Sequence, residues 1–366
     1  MKVQDAVRDE NQQIANLVYD LAEAHRPLPR YWGYKRSART LRQIPWSLSD
    51  LTEREILTIP SIGPATYRVI RDFLTTGRSP GVERAVAESG KSKEIEQRRA
   101  FRHNFLSRAM VQRILKESRP GVVEVADYLG DFQMHSTSSD GYDTLDKLVE
   151  GCLDRGYRCA CITDHSHGLP IAKGMSLDTM QQQFVDIDAL NARYGDNFRL
   201  FKGVEANILG DGSLDLRPEE TRGLELVVAS PHSALRKRDD QTARMLEAVS
   251  RPGVHILGHP RGRVFNLRAG IVADWPRVFG RASQTRVAVE LDGDTSRQDL
   301  DFELAVTALD AGCLFALDSD AHAADQLFMA DYAIAHARLA GIPPDRIVNC
   351  WEPGRILEWA HARWQK

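Results

Sequence analysis

The chain has 366 residues, a net charge of −3 and 42% hydrophobic residues, enough for one large core and a smaller domain at ~100–200 residues each. Five cysteines form no Cys-x-x-Cys pair, and no apolar run approaches the ~20 residues of a membrane span, which excludes a thiolate zinc module and a transmembrane protein and leaves reduced thiols in a cytoplasmic one. The start of the chain is polar rather than signal-like, so export is not expected, and a monomer is consistent with the sequence.

The charge is uneven. Residues 1–119 carry 22 Lys/Arg against 14 Asp/Glu, and the remainder 26 against 37, so a basic front favours a polyanion while an acidic back suits cation binding. In chain order, Ile14, Leu17, Val18 and Leu21 stand at helical spacing, Pro27 and Pro29 interrupt, and a second helix runs through Ala38, Leu41 and Ile44. Leu57 to Ala65 reads as a tight turn between two helices, the second ending at Gly77, which gives a helix-hairpin-helix in a small all-α domain over 1–90. Residues 91–122 read as a linker helix. From 123 to 366, apolar runs alternate with amphipathic stretches such as Thr144 to Arg155, Asp178 to Tyr194 and Gln241 to Val249. Seven strand candidates in a βα rhythm predict an α/β fold with a parallel barrel.

Six of the seven runs end on His, Asp or Glu. The residues are His135 with Asp140, His165, Glu205, His232, His259, and Asp320 with His322. Barrels of strand-helix units gather such strand-end residues at one face. Imidazole mixed with carboxylate suits Mn, Zn or Fe, and the number of ligands implies two or three divalent ions. Paired ions can bind two phosphate oxygens and generate hydroxide at neutral pH, so phosphoester hydrolysis fits best. His25, His103, His336 and His361 read as ordinary helical or surface residues and His255 as internal to a strand, while His167 stays open.

These stretches carry a resemblance. Asp131 to Gly141, Ile162 to Ser166, Gly203-Val204-Glu205, Asp211 to Leu216, Ala229 to Ser233, Gly258-His259-Pro260 and Ser319 to His322 resemble the polymerase-and-histidinol-phosphatase (PHP) domain of bacterial family X DNA polymerases. That resemblance implies a distorted (β/α)7 barrel with a trinuclear site. It implies that His135, Glu205 and Asp320 hold one ion, that His232 and His259 share Glu205 with a second, and that Asp140, His165 and His322 hold a third. Hydroxide held by the metals would attack phosphorus, with His135, His165, Glu205 and Asp320 the catalytic core and Lys173, Arg261 and Arg263 orienting the phosphate. One position departs: the family's opening His-x-His is here Gln133-Met134-His135, and a neutral amide is a poorer ligand than imidazole, favouring a harder cation such as Mn.

Asn11 to Glu88 resembles the amino-terminal domain of the same polymerases, through Asn11 to Ala15, Gly33 to Leu41, Ile59 to Ala65 and Phe73 to Arg78. It implies contact with gapped, nicked or abasic DNA without sequence preference. Backbone N–H groups at Ile62, Gly63 and Ala65 would hold a phosphate. Tyr34, Lys35, Arg36, Arg68 and Arg71 would add contacts. The lysine that forms a Schiff base in some relatives is matched by Val69, so no lyase is expected there, and residues 90–121 leave no room for a polymerase palm. The reading is a metal-dependent DNA phosphoesterase: a 3′-5′ exonuclease, an abasic-site endonuclease or a 3′-phosphatase. Two alternatives remain, a small-molecule phosphatase resembling histidinol phosphatase and a non-catalytic DNA-binding protein with a degenerate metal site.

Overall fold

The computed structural model describes residues 8–365. They form two compact units, the first ending at Glu117 and including Phe265–Arg268, the second holding the rest.

The first unit contains α1 (Glu10–Ala24), α2 (Arg30–Gln43), α3 (Glu53–Thr58), α4 (Pro64–Thr76), α5 (Pro80–Glu88), α6 (Ser92–Ala100) and α7 (Arg108–Lys116). Local chemistry sets their ends. The Asp9 carboxylate caps α1 by accepting from the Gln12 N–H, and it also accepts from the backbone and hydroxyl of Ser107, the residue that caps α7. Thr52 and Glu55 make a reciprocal capping box on α3, Pro64 opens α4, and Gly77 closes it in the left-handed conformation. Ile14, Val18, Ala38, Leu41 and Ile70 form the core.

Two features depart from the sequence reading. The segment read as a linker helix is two helices with a break at 101–107, and Ile95 and Phe105 lie in the helical core. Apolar side chains at both positions bury area there, which a solvated linker would forgo. The same core takes Phe265, which packs on Tyr19 and Phe105, with the Arg42 guanidinium 3.7 Å from its ring centroid.

The second unit is a seven-stranded parallel sheet in the order β1 (Gly130–Asp131), β2 (Cys159–Ile162), β3 (Arg199–Asn207), β4 (Leu226–Ser230), β5 (Ile256–Leu257), β6 (Ala288–Asp292), β7 (Leu314–Asp318). A parallel bridge from Met134 to Ala321, with the His135 N–H donating to the Ala321 carbonyl at 2.8 Å, brings the two edges together as a barrel. Around it lie α8 (Leu145–Asp154), α9 (Leu177–Tyr194), α10 (Thr242–Ser250), α11 (Trp275–Thr285), α12 (Phe302–Asp310), α13 (Ala330–Ala340) and α14 (Pro353–Trp364). Seven parallel strands wrapped by helices were the fold expected from the sequence.

The barrel is distorted at β3. Arg199–Lys202 pair with β2, whereas Gly203–Asn207 pair with β4, so the strand changes neighbours at Gly203. No α-helix lies between β3 and β4; a loop with a short 3-10 turn at Pro218–Thr221 makes the crossing. Phe132, Cys161, Phe201, Val228 and Ala316 fill the interior, and Trp351 and Trp359 join the same cluster. All five cysteines are free, and burial pushes the Cys161 thiol well above its ordinary pKa, so it serves as a small apolar filler.

Candidate metal centre

The carboxyl ends of the strands deliver the site. Gln133 and His135 follow β1, His165 follows β2, Glu205 lies within β3, His232 follows β4, His259 follows β5, and Asp320 and His322 follow β7. Glu205 is the hub. His165 Nδ1 lies 2.9 Å from its Oε2 and His135 Nε2 3.5 Å from the same oxygen, while His259 Nε2 at 2.9 Å and His232 Nε2 at 3.4 Å face Oε1. His135 Nε2 is also 3.0 Å from Asp320 Oδ1. Asp140 Oδ1 stands 3.6 Å from His165 Nε2 and 3.5 Å from His322 Nε2.

Two groups have the compactness of a cation site. His135, Asp140, His165 and His322 each offer a ligand atom within 4.8 Å of the others, and so do His165, Glu205 and His232. The geometry supports cation binding more than a hydrogen-bonded network would. Glu205 Oε2 and His165 Nδ1 are close yet misaligned for a hydrogen bond, and both are buried without a partner, as are Asp320 Oδ2 and Gln133 Oε1. Buried polar atoms left unpaired cost roughly 1–3 kcal/mol each, and a shared cation removes that cost for several at once. Gln133 fits the same pattern: its amide N–H donates to Glu205 Oε1 at 3.2 Å and leaves its oxygen facing the site.

Electrostatics prepares the imidazoles as ligands. Burial, then the neighbouring His165 and His322, holds His135 well below its ordinary value, and burial lowers His259 to about 4, so both keep a lone pair at neutral pH. Burial alone would raise Glu205, but the imidazoles of His165 and His232 overcome it and hold the carboxyl well below its usual range. Tautomers are fixed from outside: His322 Nδ1 donates to the Asp320 carbonyl at 2.8 Å and His232 Nδ1 to Asn207 Oδ1 at 3.2 Å, which turns each Nε2 inward. Asp320 itself has φ 53°, a left-handed backbone that a non-glycine residue holds only when its surroundings impose it. Gly258, ahead of His259, admits no side chain, because a Cβ there would strike Ser230 Oγ.

Several participants escaped the sequence reading. Asp164 is buried and accepts from the Ser136 backbone and hydroxyl, the Ser139 hydroxyl and the Gln183 amide, so it pins the loop that carries His135 and Asp140. Its position beside His165 was the available signal. Arg297, on the loop after β6, sets its guanidinium against Asp320 and lies 3.6 Å from Asp292. β6 was the one strand given no ligand, and its end carries Glu290, whose carboxylate accepts from the His259 backbone N–H.

The phosphate candidates fall differently. Arg261 and Arg263 both bind Asp301 Oδ2, at 2.8 and 2.9 Å, and Arg263 also donates to the Arg297 carbonyl, so the pair braces the loop that presents Arg297. Lys173 is exposed. In the helical unit, the Ile59–Gly63 turn joins α3 to α4, with Ile62 buried and Gly63 and Ala65 half-buried. Lys35, Arg36, Arg68 and Arg71 are exposed, Tyr34 is half-buried, and Arg71 pairs with Asp72 at 3.2 Å. Val69 lies in the helical core.

No family model matches the chain. Among curated proteins, the DNA polymerase/3′-5′ exonuclease PolX of Bacillus subtilis is 33% identical over 279 residues, 74% of this chain and 48% of that one. The chain is similar to PolX. It spans about half of PolX's length. A probable phosphatase of Escherichia coli, YcdX, is 26% identical over 247 residues, 64% of this chain and 95% of the phosphatase. Among solved structures, histidinol phosphate phosphatase of Lactococcus lactis aligns at a TM-score of 0.41 with 14% identity, covering 65% of this chain and 93% of that one.

Proposed function

We propose that the chain is a metal-dependent phosphoesterase of the PHP type that acts on DNA, processing gapped, nicked or abasic ends as a 3′-5′ exonuclease, abasic-site endonuclease or 3′-phosphatase. The observation that carries it is the convergence of nine strand-end residues on Glu205 and Asp140, with buried oxygens left for a cation. PolX and YcdX bear the names of an exonuclease and a phosphatase, activities that share phosphoester cleavage. The helix-hairpin-helix and the basic front of the chain direct the reading to DNA.

The residues present fit divalent ions. His135, Glu205 and Asp320 would hold one, His232 and His259 with Glu205 a second, and Asp140, His165 and His322 a third, with Gln133 beside the first. Bound Mn or Zn supplies Lewis acidity toward phosphate oxygens and lowers the pKa of water. The chain's own part is distinct. His232 and His322 present Nε2 because Asn207 and the Asp320 carbonyl hold their other nitrogens. Arg297, partly exposed beside Asp320, would move from that carboxylate to the incoming phosphate and orient it by a bidentate contact. Exchanging one anionic partner for another keeps a largely buried guanidinium paired throughout.

Purified protein incubated with Mn and labelled gapped, abasic and 3′-phosphate duplexes should cleave at least one. Cleavage of none, alongside good turnover of a small phosphomonoester, would replace the reading with that of a small-molecule phosphatase, which the near-complete span of YcdX favours. Absence of bound metal after Mn supplementation would favour a non-catalytic binding protein.

A further inference from the structure

We infer that the exposed face of α2 is a stacking platform for unpaired nucleotides, with Trp32 as the ring on which a base lies; this rests on the DNA reading and names which part of the DNA the helical unit senses. Trp32 is 58% exposed although an indole gains about 1.5 kcal/mol or more from burial. Lys35, Arg36 and Arg39, three, four and seven residues on, are all exposed and share its helical face. Lys35 Nζ stands 5.3 Å from the Trp32 ring centroid, and Tyr31, itself buried, meets Trp32 edge-on at 5.0 Å. The indole is thereby supported from beneath and fringed by cations.

Charge decides the occupant. From Ala24 to Ser49 the chain has six Lys/Arg and no Asp or Glu, and among the described residues Lys35, Arg36 and Arg39 have no ion-pair partner. A protein surface docking on an isolated tryptophan has no need of three unpaired cations along the same stripe. A polyanion that also presents flat aromatic rings satisfies both features, and in a duplex those rings are stacked on one another and unavailable. Single-stranded DNA offers phosphates and free base faces together. At 1.5 Å per residue the stripe from Trp32 to Arg39 is about 10 Å long, the scale of one stacked base with its flanking phosphates. The unpaired stretch of a gap is the segment this face would select.

The test uses the full chain with chelator present, so that no strand is cut, and fluorescence anisotropy of three labelled DNAs: an oligo(dT), a gapped duplex and a blunt duplex. The wild type should prefer the first two. Trp32→Ala should weaken those two by about 5- to 150-fold, the equivalent of the ~1–3 kcal/mol of one base stack, and the blunt duplex by less than about twofold. Trp32→Phe should retain most of the affinity, because it keeps a π-face. Equal weakening of all three DNAs by Trp32→Ala would overturn the stacking role, and so would no weakening, which would assign the face to a protein partner. A wild type that binds none of the three would remove the DNA reading itself.

Discussion

At the scale of single residues, the site turns on two side chains that depart from a simple ligand list. Gln133 points an orphan amide oxygen at the centre where the resembled family has imidazole, and its N–H holds Glu205 at 3.2 Å. Gln133→His exchanges a neutral oxygen for nitrogen, which suits Zn better than Mn. The expected outcome is Zn retention that tightens about tenfold, the lower end of what changes around a metal ligand produce, as read by competition with a chromogenic chelator. Unchanged Zn and Mn affinities would mean that position 133 faces no ion. Arg297 is the second case. Removing one preorganised donor to a developing phosphate charge costs about 10²–10³ in rate, so Arg297→Ala should lower kcat/KM by that factor, and Arg297→Lys should recover only part of it because an ammonium cannot make the bidentate contact. A thermal midpoint that fell as far as activity would show instead that Arg297 merely neutralises Asp320 and Asp292.

At the scale of elements, the loop after β1 shows how the fold holds its ligands. Residues 136–143 carry Asp140 and leave His135 fixed, and the buried Asp164 carboxylate receives three of that loop's donors, with Gln183 of α9 as a fourth. Hydrogen bonds to a charged group are worth ~1.5–3 kcal/mol each, and the variant loses several while gaining a cavity. Asp164→Ala should therefore destabilise the second unit by about 3 kcal/mol, seen as a lower urea midpoint, and reduce metal content before it reduces helicity. Metal content equal to wild type would show that the loop is held by the barrel rather than by Asp164. The strand ends were legible in the sequence because a fully buried parallel strand is a plain apolar run, and the first polar residue after it has nowhere to go but the barrel mouth. Arg297 was not legible, since its loop after β6 has no such boundary and a lone Arg looks like any solvated one. Arg261 and Arg263 drew attention for their proximity to His259, yet their partner Asp301 lies 38 or more residues away and only the fold brings it near. Phe265 has the same cause: nothing local marks a loop residue of the later chain as a member of the helical core.

At the scale of the whole molecule, two histidines that read as ordinary residues staple the barrel and make its stability depend on pH. His255 Nδ1 accepts from the Val227 N–H of β4 at 3.0 Å, and its Nε2 donates to the Ala360 carbonyl of α14 at 3.2 Å. His336 Nδ1 accepts from the Phe302 N–H at the start of α12, and its Nε2 donates to Gln298. Each ring must stay neutral, because a protonated Nδ1 cannot accept. Burial lowers both to about 3, against about 6.5 in the unfolded chain. A folded value below the unfolded one means that the unfolded chain binds the proton first. The staples therefore contribute fully above pH ~6.5 and lose ~1.4 kcal/mol per pH unit each on the way down to about pH 3. Buried carboxylates oppose this: burial, then the charge of Asp318, raises Asp131 to about 8, so the folded state takes up that proton as pH falls from 8 and gains stability. The net slope of the wild type thus mixes two signs, and the informative quantity is a difference. Between pH 7.5 and 5.0 the two staples should lose roughly 4 kcal/mol together, so the stability gap between wild type and a His255→Gln/His336→Gln double variant, measured by urea unfolding, should narrow by that amount. Glutamine can replace the acceptor and the donor but cannot be protonated, so the variant keeps the carboxylate contribution and loses only that of the histidines. A gap that stays constant across that range would show that neither imidazole resists protonation in the folded barrel.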